Sequence, residues 1–209
     1  MIEIYYGDGK GKTTAAEGLA IRAAGHGIPV LFSQFLKDDS SGEIAVLRKV
    51  DGIKVMHPAA FYGFVRQMTQ EQKEQTCIEY RDMLHRTKRW IDAIMKGDRA
   101  AVQDGSVMRD GLAEQDGITT QEGLSDKSGQ DCIAGLVVMD EVLHACYYEL
   151  LPEQELIDFL NHLPQCIELV MTGRNPSQTL LACADYISEV KKIRHPFDRG
   201  IQARLGVEL

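Results

Sequence analysis

The sequence predicts a three-layer α/β sandwich built on a mainly parallel sheet. Three observations carry that expectation. Short apolar runs bounded by turn residues alternate with helical patterns, a glycine-rich loop follows the first apolar run, and a later apolar run ends in two adjacent acids. Runs of this kind suit strands buried on both faces of a parallel sheet. Alternation of such strands with helices, joined by right-handed crossovers, covers the sheet on both sides.

The elements follow in order. Strands are expected at Ile2–Tyr6, Pro29–Phe35, Ile53–His57, Ile133–Met139, Ile167–Met171 and Tyr186–Val190. A first helix, Thr13–Ala24, stops at Gly25-His26-Gly27, where glycine is a fitting C-cap. The long helix Gln70–Lys96 starts at Thr69 with Gln72 three residues on, a capping-box signature, and stops at Gly97. Within it Cys77, Tyr80, Leu84, Thr87 and Ile91 recur at helical spacing, so one face belongs to a core. Pro152 opens a further helix, Pro152–Leu163, at a position where a missing N–H costs little. Residues 98–132 break the rhythm. They are rich in Gly, Asp, Glu, Ser and Gln and poor in large apolar residues, the composition of a mobile, polar insert in an otherwise single domain spanning 1–209.

Composition bounds the function. At 209 residues the chain is long enough to bury a substantial core. A net charge of −8 speaks against a nucleic-acid or anionic-membrane partner, each of which needs a basic face. Lys191, Lys192, Arg194, Arg199 and Arg204 form a local basic run without interleaved aromatics, better read as solvated or phosphate-facing. Five scattered cysteines with no Cys-x-x-Cys pair argue for reduced thiols. The sequence opens on a strand carrying Glu3 in place of a basic-then-apolar leader, and no apolar run approaches membrane-spanning length. A soluble, cytoplasmic protein is expected.

The chemistry concentrates in three places. Gly7, Asp8, Gly9, Lys10, Gly11, Lys12, Thr13 and Thr14 form a phosphate-binding loop in its strand–loop–helix context. Backbone N–H groups there converge on polyphosphate oxygens, Lys12 adds a point charge, and the Thr13 hydroxyl is placed to ligate Mg²⁺. As a loop lysine, Lys12 is expected to bury little surface. The loop is one residue short of the usual motif, since only Asp8, Gly9 and Lys10 stand between the first glycine and Gly11-Lys12. Asp140 and Glu141 close an apolar strand in the manner of a Walker B segment, which delivers carboxylate to Mg²⁺ or its waters. Thr172-Gly173-Arg174 ends another strand, and ligands of open α/β sheets bind outside such ends. Arg174 either neutralises phosphate or is a solvated turn residue.

Together with Gln34-Phe35-Leu36-Lys37, Gly42-Glu43 and the tail from His195-Pro196-Phe197 through Gly200-Ile201-Gln202 to Glu208, these segments resemble the P-loop type of ATP:corrinoid adenosyltransferase. The likeness runs from residue 2 to the C-terminus, interrupted at 98–132. It implies a RecA-like P-loop NTPase fold and a homodimer. The implied activity transfers the 5′-deoxyadenosyl group of ATP to the cobalt of a reduced corrinoid, releasing triphosphate, with an electron donor such as a flavoprotein supplying reduction. Lys12 and Arg174 would then stabilise the departing triphosphate, while Thr13, Asp140 and Glu141 would hold Mg²⁺.

This chain departs from that pattern in places. Relatives often carry a Phe-Thr-Trp-like segment after the third strand; here the region from Pro58 to Met68 lacks Trp. Phe61, Tyr62, Phe64 and Met68 are candidates for the corrinoid face, and a loop-packing aromatic cluster is the alternative. Many relatives also have an N-terminal extension, and the insert is not part of the pattern. His57, His144 and His195 are assigned to no metal, because a strong lower ligand disfavours four-coordinate cobalt. Two other readings stay open: an ordinary P-loop kinase or NTPase, and a non-catalytic carrier of ATP and corrinoid.

Overall fold

A computed structural model describes residues 1–37, 41–104, 133–202, 204 and 206–207. In chain order the elements are β1 (Ile2–Tyr6), α1 (Lys12–Gly25), β2 (Val30–Gln34), α2 (Gly42–Leu47), β3 (Ile53–Met56), α3 (Gln70–Met95) and α4 (Arg99–Asp104). There follow β4 (Gly135–Asp140), α5 (Val142–Tyr147), α6 (Glu153–Asn161), β5 (Ile167–Gly173), α7 (Gln178–Ala182) and β6 (Tyr186–Glu189). Short 3₁₀ turns occupy Val65–Gln67 and Pro196–Arg199. The six strands form one sheet in the order β3-β2-β4-β5-β1-β6, and every pairing is parallel.

Helices cover both faces of this sheet. On one side Ile4, Leu31, Val137, Met139, Leu169 and Met171 pack with α3, α5 and α6 around the fully buried Trp90 and Tyr80. On the other, Val30, Phe32, Leu136, Val138 and Val170 meet Ala16, Ala20 and Ala23 of α1. Alternate residues of each strand therefore face opposite cores, as a period of two demands. Small alanines let α1 lie close to the sheet, which fixes the direction from which its N-terminus addresses the loop.

Register positions the site. Tyr6 pairs with Gly173, and Gln34 pairs with Asp140. The carboxyl ends of β1, β2, β4 and β5 thus end side by side, where a doubly wound sheet receives its ligand. The segment leaving β2 is held by the long helix. Phe35 meets the Tyr80 ring edge-on with centroids 5.0 Å apart, and Leu36 N–H donates to Tyr80 Oη at 2.8 Å. Tyr80 can be there because α3 is long and well started: Thr69 Oγ1 accepts from Gln72 N–H, and Gln72 Oε1 accepts from Thr69 N–H.

Several expectations need correction. Strand ends shift: β2 starts at Val30 and stops at Gln34, β3 stops at Met56, β4 runs from Gly135 to Asp140, and β5 reaches Gly173. The last strand is not buried on both faces. All four residues of β6, an edge strand paired only with β1, are exposed, with Tyr186 at 55% and Ile187 at 50%, whereas the opposite edge strand β3 is half-buried to buried. The start of the polar insert is helical, since α4 covers Arg99–Asp104 and buries Val102. The rest of that insert, 105–132, lies outside the described residues. The short helices α2, α5 and α7 were not expected from the sequence.

Candidate functional site

The phosphate loop is bound to the strands on either side of β1. Gly7 N–H donates to Gly173 O at 3.2 Å, and Gly9 N–H donates to Val190 O at 2.8 Å. The Asp8 carboxylate accepts from Lys192 N–H at 2.9 Å, a bond that holds it below the usual carboxylate range. The chain leaving β6 therefore forms one wall of the loop. Glycine is required at position 7, where φ is +123° and an added Cβ would stand 2.4 Å from Val190 O. Helix α1 then opens from Gly11 with no side-chain cap. Its first N–H groups are left for an anion.

Lys12 corrects an expectation. It is the first residue of α1, 5% exposed, and its ammonium donates to Gly9 O at 2.9 Å. Burial pushes its pKa down, assisted by the positive charge of Arg174, while Glu141 and Asp140 oppose the shift. Arg174 itself is exposed, at the exit of β5, and its charge also depresses Asp8. The loop, Lys12 and Arg174 share one electrostatic field.

Asp140 is the hub of the acidic side. It is fully buried at the end of β4. Its Oδ1 accepts from Thr172 Oγ1 at 2.6 Å and Thr13 Oγ1 at 2.9 Å; its Oδ2 lies 3.2 Å from Gln34 Nε2 and 3.3 Å from Lys37 Nζ. Thr172 also accepts Glu141 N–H at 2.9 Å, which holds Glu141 in the left-handed conformation (φ 62°) that starts α5. One hydroxyl thus orients both acids. Burial opposes the charge of Glu141, but His144 (Nδ1 3.3 Å from Oε2), Lys12 and Lys37 hold its pKa below the usual range.

Three further charged side chains surround this hub. Glu43 is 2.9 Å from Lys37 Nζ and also takes Gln34 Nε2 at 2.8 Å. Burial would raise its pKa, yet the Ser41 hydroxyl and Lys37 bring it to about 2. For Lys37, burial is outweighed by Asp140 and Glu43, and its pKa rises. Glu17, one helical turn beyond Thr13, is pushed up to about 7, first by burial and then by Glu43 and Asp140.

Glu17 makes stability pH-dependent. A carboxyl that binds its proton more tightly folded than unfolded stabilises the fold below its ordinary value of 4.5. That contribution is lost as pH rises through about 7. Because the side chain is only half-buried, solvent screening reduces the effect to about 1 kcal/mol. Urea denaturation without nucleotide should show Glu17→Gln equal to the parent near pH 4.5 and more stable at pH 8. Parallel stability curves across that interval would refute the assignment.

The donor set fits Mg²⁺. Thr13 Oγ1 and the carboxylates of Asp140 and Glu141 are hard oxygen ligands of the kind this ion takes alongside phosphate. Gln34 Oε1 is buried without a hydrogen-bond partner, and Glu141 Oε2 has the His144 ion pair at 3.3 Å as its neighbour, so both oxygens keep room for a cation. No group of three or more His, Cys, Asp or Glu is arranged to hold a metal among the described residues.

Of the corrinoid-face candidates, Phe61 and Phe64 are exposed at 40% and 79%, Tyr62 packs half-buried on the core, and Met68 is in the core beside Val65. Only the two phenylalanines present open rings. Sequence reasoning assigned no role to Glu17, Gln34, Lys37, Glu43 or Thr172, although all but Glu17 stand in quoted motifs. The register that pairs Gln34 with Asp140 and the side-chain contacts around that carboxylate show what they do.

The family model described as ATP:corrinoid adenosyltransferase BtuR/CobO/CobP matches residues 1–209. The chain belongs to that family. Among curated relatives of this adenosyltransferase, corrinoid adenosyltransferase CobA of Salmonella typhimurium is 31% identical over 208 residues, covering 100% of this chain and 85% of its own. Corrinoid adenosyltransferase of Escherichia coli K12 is 27% identical with the same coverage. Family membership makes the protein a transferase. Among solved structures, EssC (ATPases 2 and 3) from Geobacillus thermodenitrificans aligns with all of this chain and 35% of its own at TM-score 0.45 and 14% identity. That likeness is too weak to add to the fold described above. No helix among the described residues is long and apolar enough to cross a membrane.

Proposed function

We propose that this adenosyltransferase moves the 5′-deoxyadenosyl group of ATP onto the cob(I) centre of a reduced corrinoid and releases triphosphate. The observation that carries the reading is the gathering of Lys12, Thr13, Asp140, Glu141 and Arg174 around a short phosphate loop. These groups suit a leaving polyanion. Cob(I) is itself a strong nucleophile: its electron pair forms the cobalt–carbon bond while the bond from C5′ to the triphosphate oxygen breaks, leaving cobalt formally Co(III). The protein has no proton to move in that step. Its task is alignment and charge stabilisation.

Loop amides and Lys12 hold the triphosphate, and Arg174 meets its charge from the β5 side. Thr13, Asp140 and Glu141 hold Mg²⁺, which when bound neutralises phosphate charge. Phe61 and Phe64 offer the apolar surface for the corrinoid. The same reading includes a homodimer, a cytoplasmic setting and a reducing partner such as a flavoprotein that returns cob(II) to cob(I).

An anaerobic reaction tests it. Protein, Mg-ATP, cob(II)alamin and a low-potential reductant should yield a light-sensitive alkyl-cobalt spectrum, with triphosphate formed in equal amount. ADP and phosphate as the main corrinoid-stimulated products would instead establish an NTPase.

A further inference from the structure

A cavity of about 520 Å³ lies beside the phosphate loop, between Gly9 and Lys10 on one wall and the segment following β6 on the other. That volume is within the usual range of small-molecule sites, roughly 300–1,000 Å³. Lys10, Lys191, Lys192, Arg194 and Arg204 line it, and among the described residues none of the lining is acidic or is Phe, Tyr or Trp. Glu189 pairs with Lys191 and Asp198 with Lys192, each at 3.0 Å. Five positive side chains on one cavity are out of keeping with a protein of net charge −8, whose overall field repels anions. The cavity also has a fixed place. The Gly9–Val190 and Lys192–Asp8 hydrogen bonds tie its basic wall to the loop. A lining whose one aromatic ring is the imidazole of His195, set among five cations, is better suited to phosphate than to stacking a base or a corrin ring.

We infer that this cavity is an anion subsite of the phosphate loop, holding the outer phosphates of the bound nucleotide and then the released triphosphate. The inference rests on the transfer reaction proposed above, whose leaving group is that polyanion. It gives the basic residues after β6 a role in retaining the leaving group, where the loop amides and Lys12 alone form the inner cradle. Carboxylates of an incompletely amidated corrinoid share the same chemistry, so the test must separate the two sources.

The double variant Lys191→Gln, Arg194→Gln alters two exposed side chains and should leave the thermal melting curve unchanged. Calorimetric titration with sodium triphosphate should show affinity reduced about tenfold or more relative to the parent, with a shallower dependence on salt. Binding of AMP, and of corrinoids with and without free carboxylates, should stay within twofold. Triphosphate affinity within twofold of the parent would overturn the inference. So would a loss confined to the carboxylate-bearing corrinoid, which would place that substrate in the cavity. If the parent protein forms no alkyl-cobalt product, the transfer reading fails, and the triphosphate titration then reports on the cavity alone.

Discussion

Lys12→Ala is expected to lower turnover by about 10²-fold or more, the scale of losing one preorganised charge opposite a leaving group. The structure adds a second effect. Because Lys12 is buried and bonded to Gly9 O, its removal leaves that carbonyl without its donor and takes a cation from beside Glu141 and Asp140. A stability loss of about 1–2 kcal/mol should accompany the kinetic one. Lys12→Met separates the two, since it keeps the apolar stem and discards the charge. Turnover should stay low in both variants, while urea denaturation should show the methionine variant recovering part of the stability. Turnover within a few-fold of the parent in either would mean that the loop does not hold the leaving group.

Asp140→Asn should be nearly as damaging. The carboxylate accepts two hydroxyls on Oδ1 and faces Gln34 Nε2 and Lys37 Nζ on Oδ2. An amide of the same shape keeps its oxygen toward Gln34 and Lys37 only by turning its NH₂ toward the two hydroxyls, which must then accept where they donated. The negative charge facing Lys37 is lost, and Glu43 is left as its carboxylate partner. Breaking a buried ion pair costs about 3–5 kcal/mol, and the partial exposure of Lys37 puts the expected loss near the lower end. Turnover should drop by about 10²-fold or more, because the carboxylate nearest Thr13 is gone. The Mg²⁺ concentration needed for half-maximal ATP binding should rise. An unchanged Mg²⁺ requirement would remove Asp140 from the cation site and leave it a structural hub.

The phosphate loop was legible in the sequence because its chemistry is local: strand, glycines, lysine and threonine follow one another in the order in which they act. Asp140 and Glu141 were legible as the end of an apolar run. What joins them was not. Lys37 reaches Asp140 across 103 positions of sequence, and no periodicity announces a contact made by sheet register. The burial of Lys12 was missed because it depends on the carbonyl of Gly9, a backbone atom that composition does not reveal. Helices α2, α5 and α7 span only five or six residues each, less than two turns, too short for a hydrophobic repeat to stand out. The exposure of β6 was misread for another reason. Tyr186 and Ile187 look like core residues, and nothing in their neighbours says that the sheet ends there.

The bonds that tie the loop to its neighbouring strands divide its amide protons into two sets. Those of Gly7 and Gly9 are engaged by Gly173 and Val190. From Lys10 to Thr14 no backbone N–H has a partner among the described residues, and Ala15 is the first to return to the helix, through Gly11 O. Solvent deuterium should therefore replace the second set quickly in the free enzyme and slowly once triphosphate is bound. The first set should exchange slowly in both. Only glycine can make the inner anchoring bond at position 7, so the rigid part of the loop and the part that meets phosphate are separate stretches of one short chain. The boundary between anchorage and grip falls between Gly9 and Lys10.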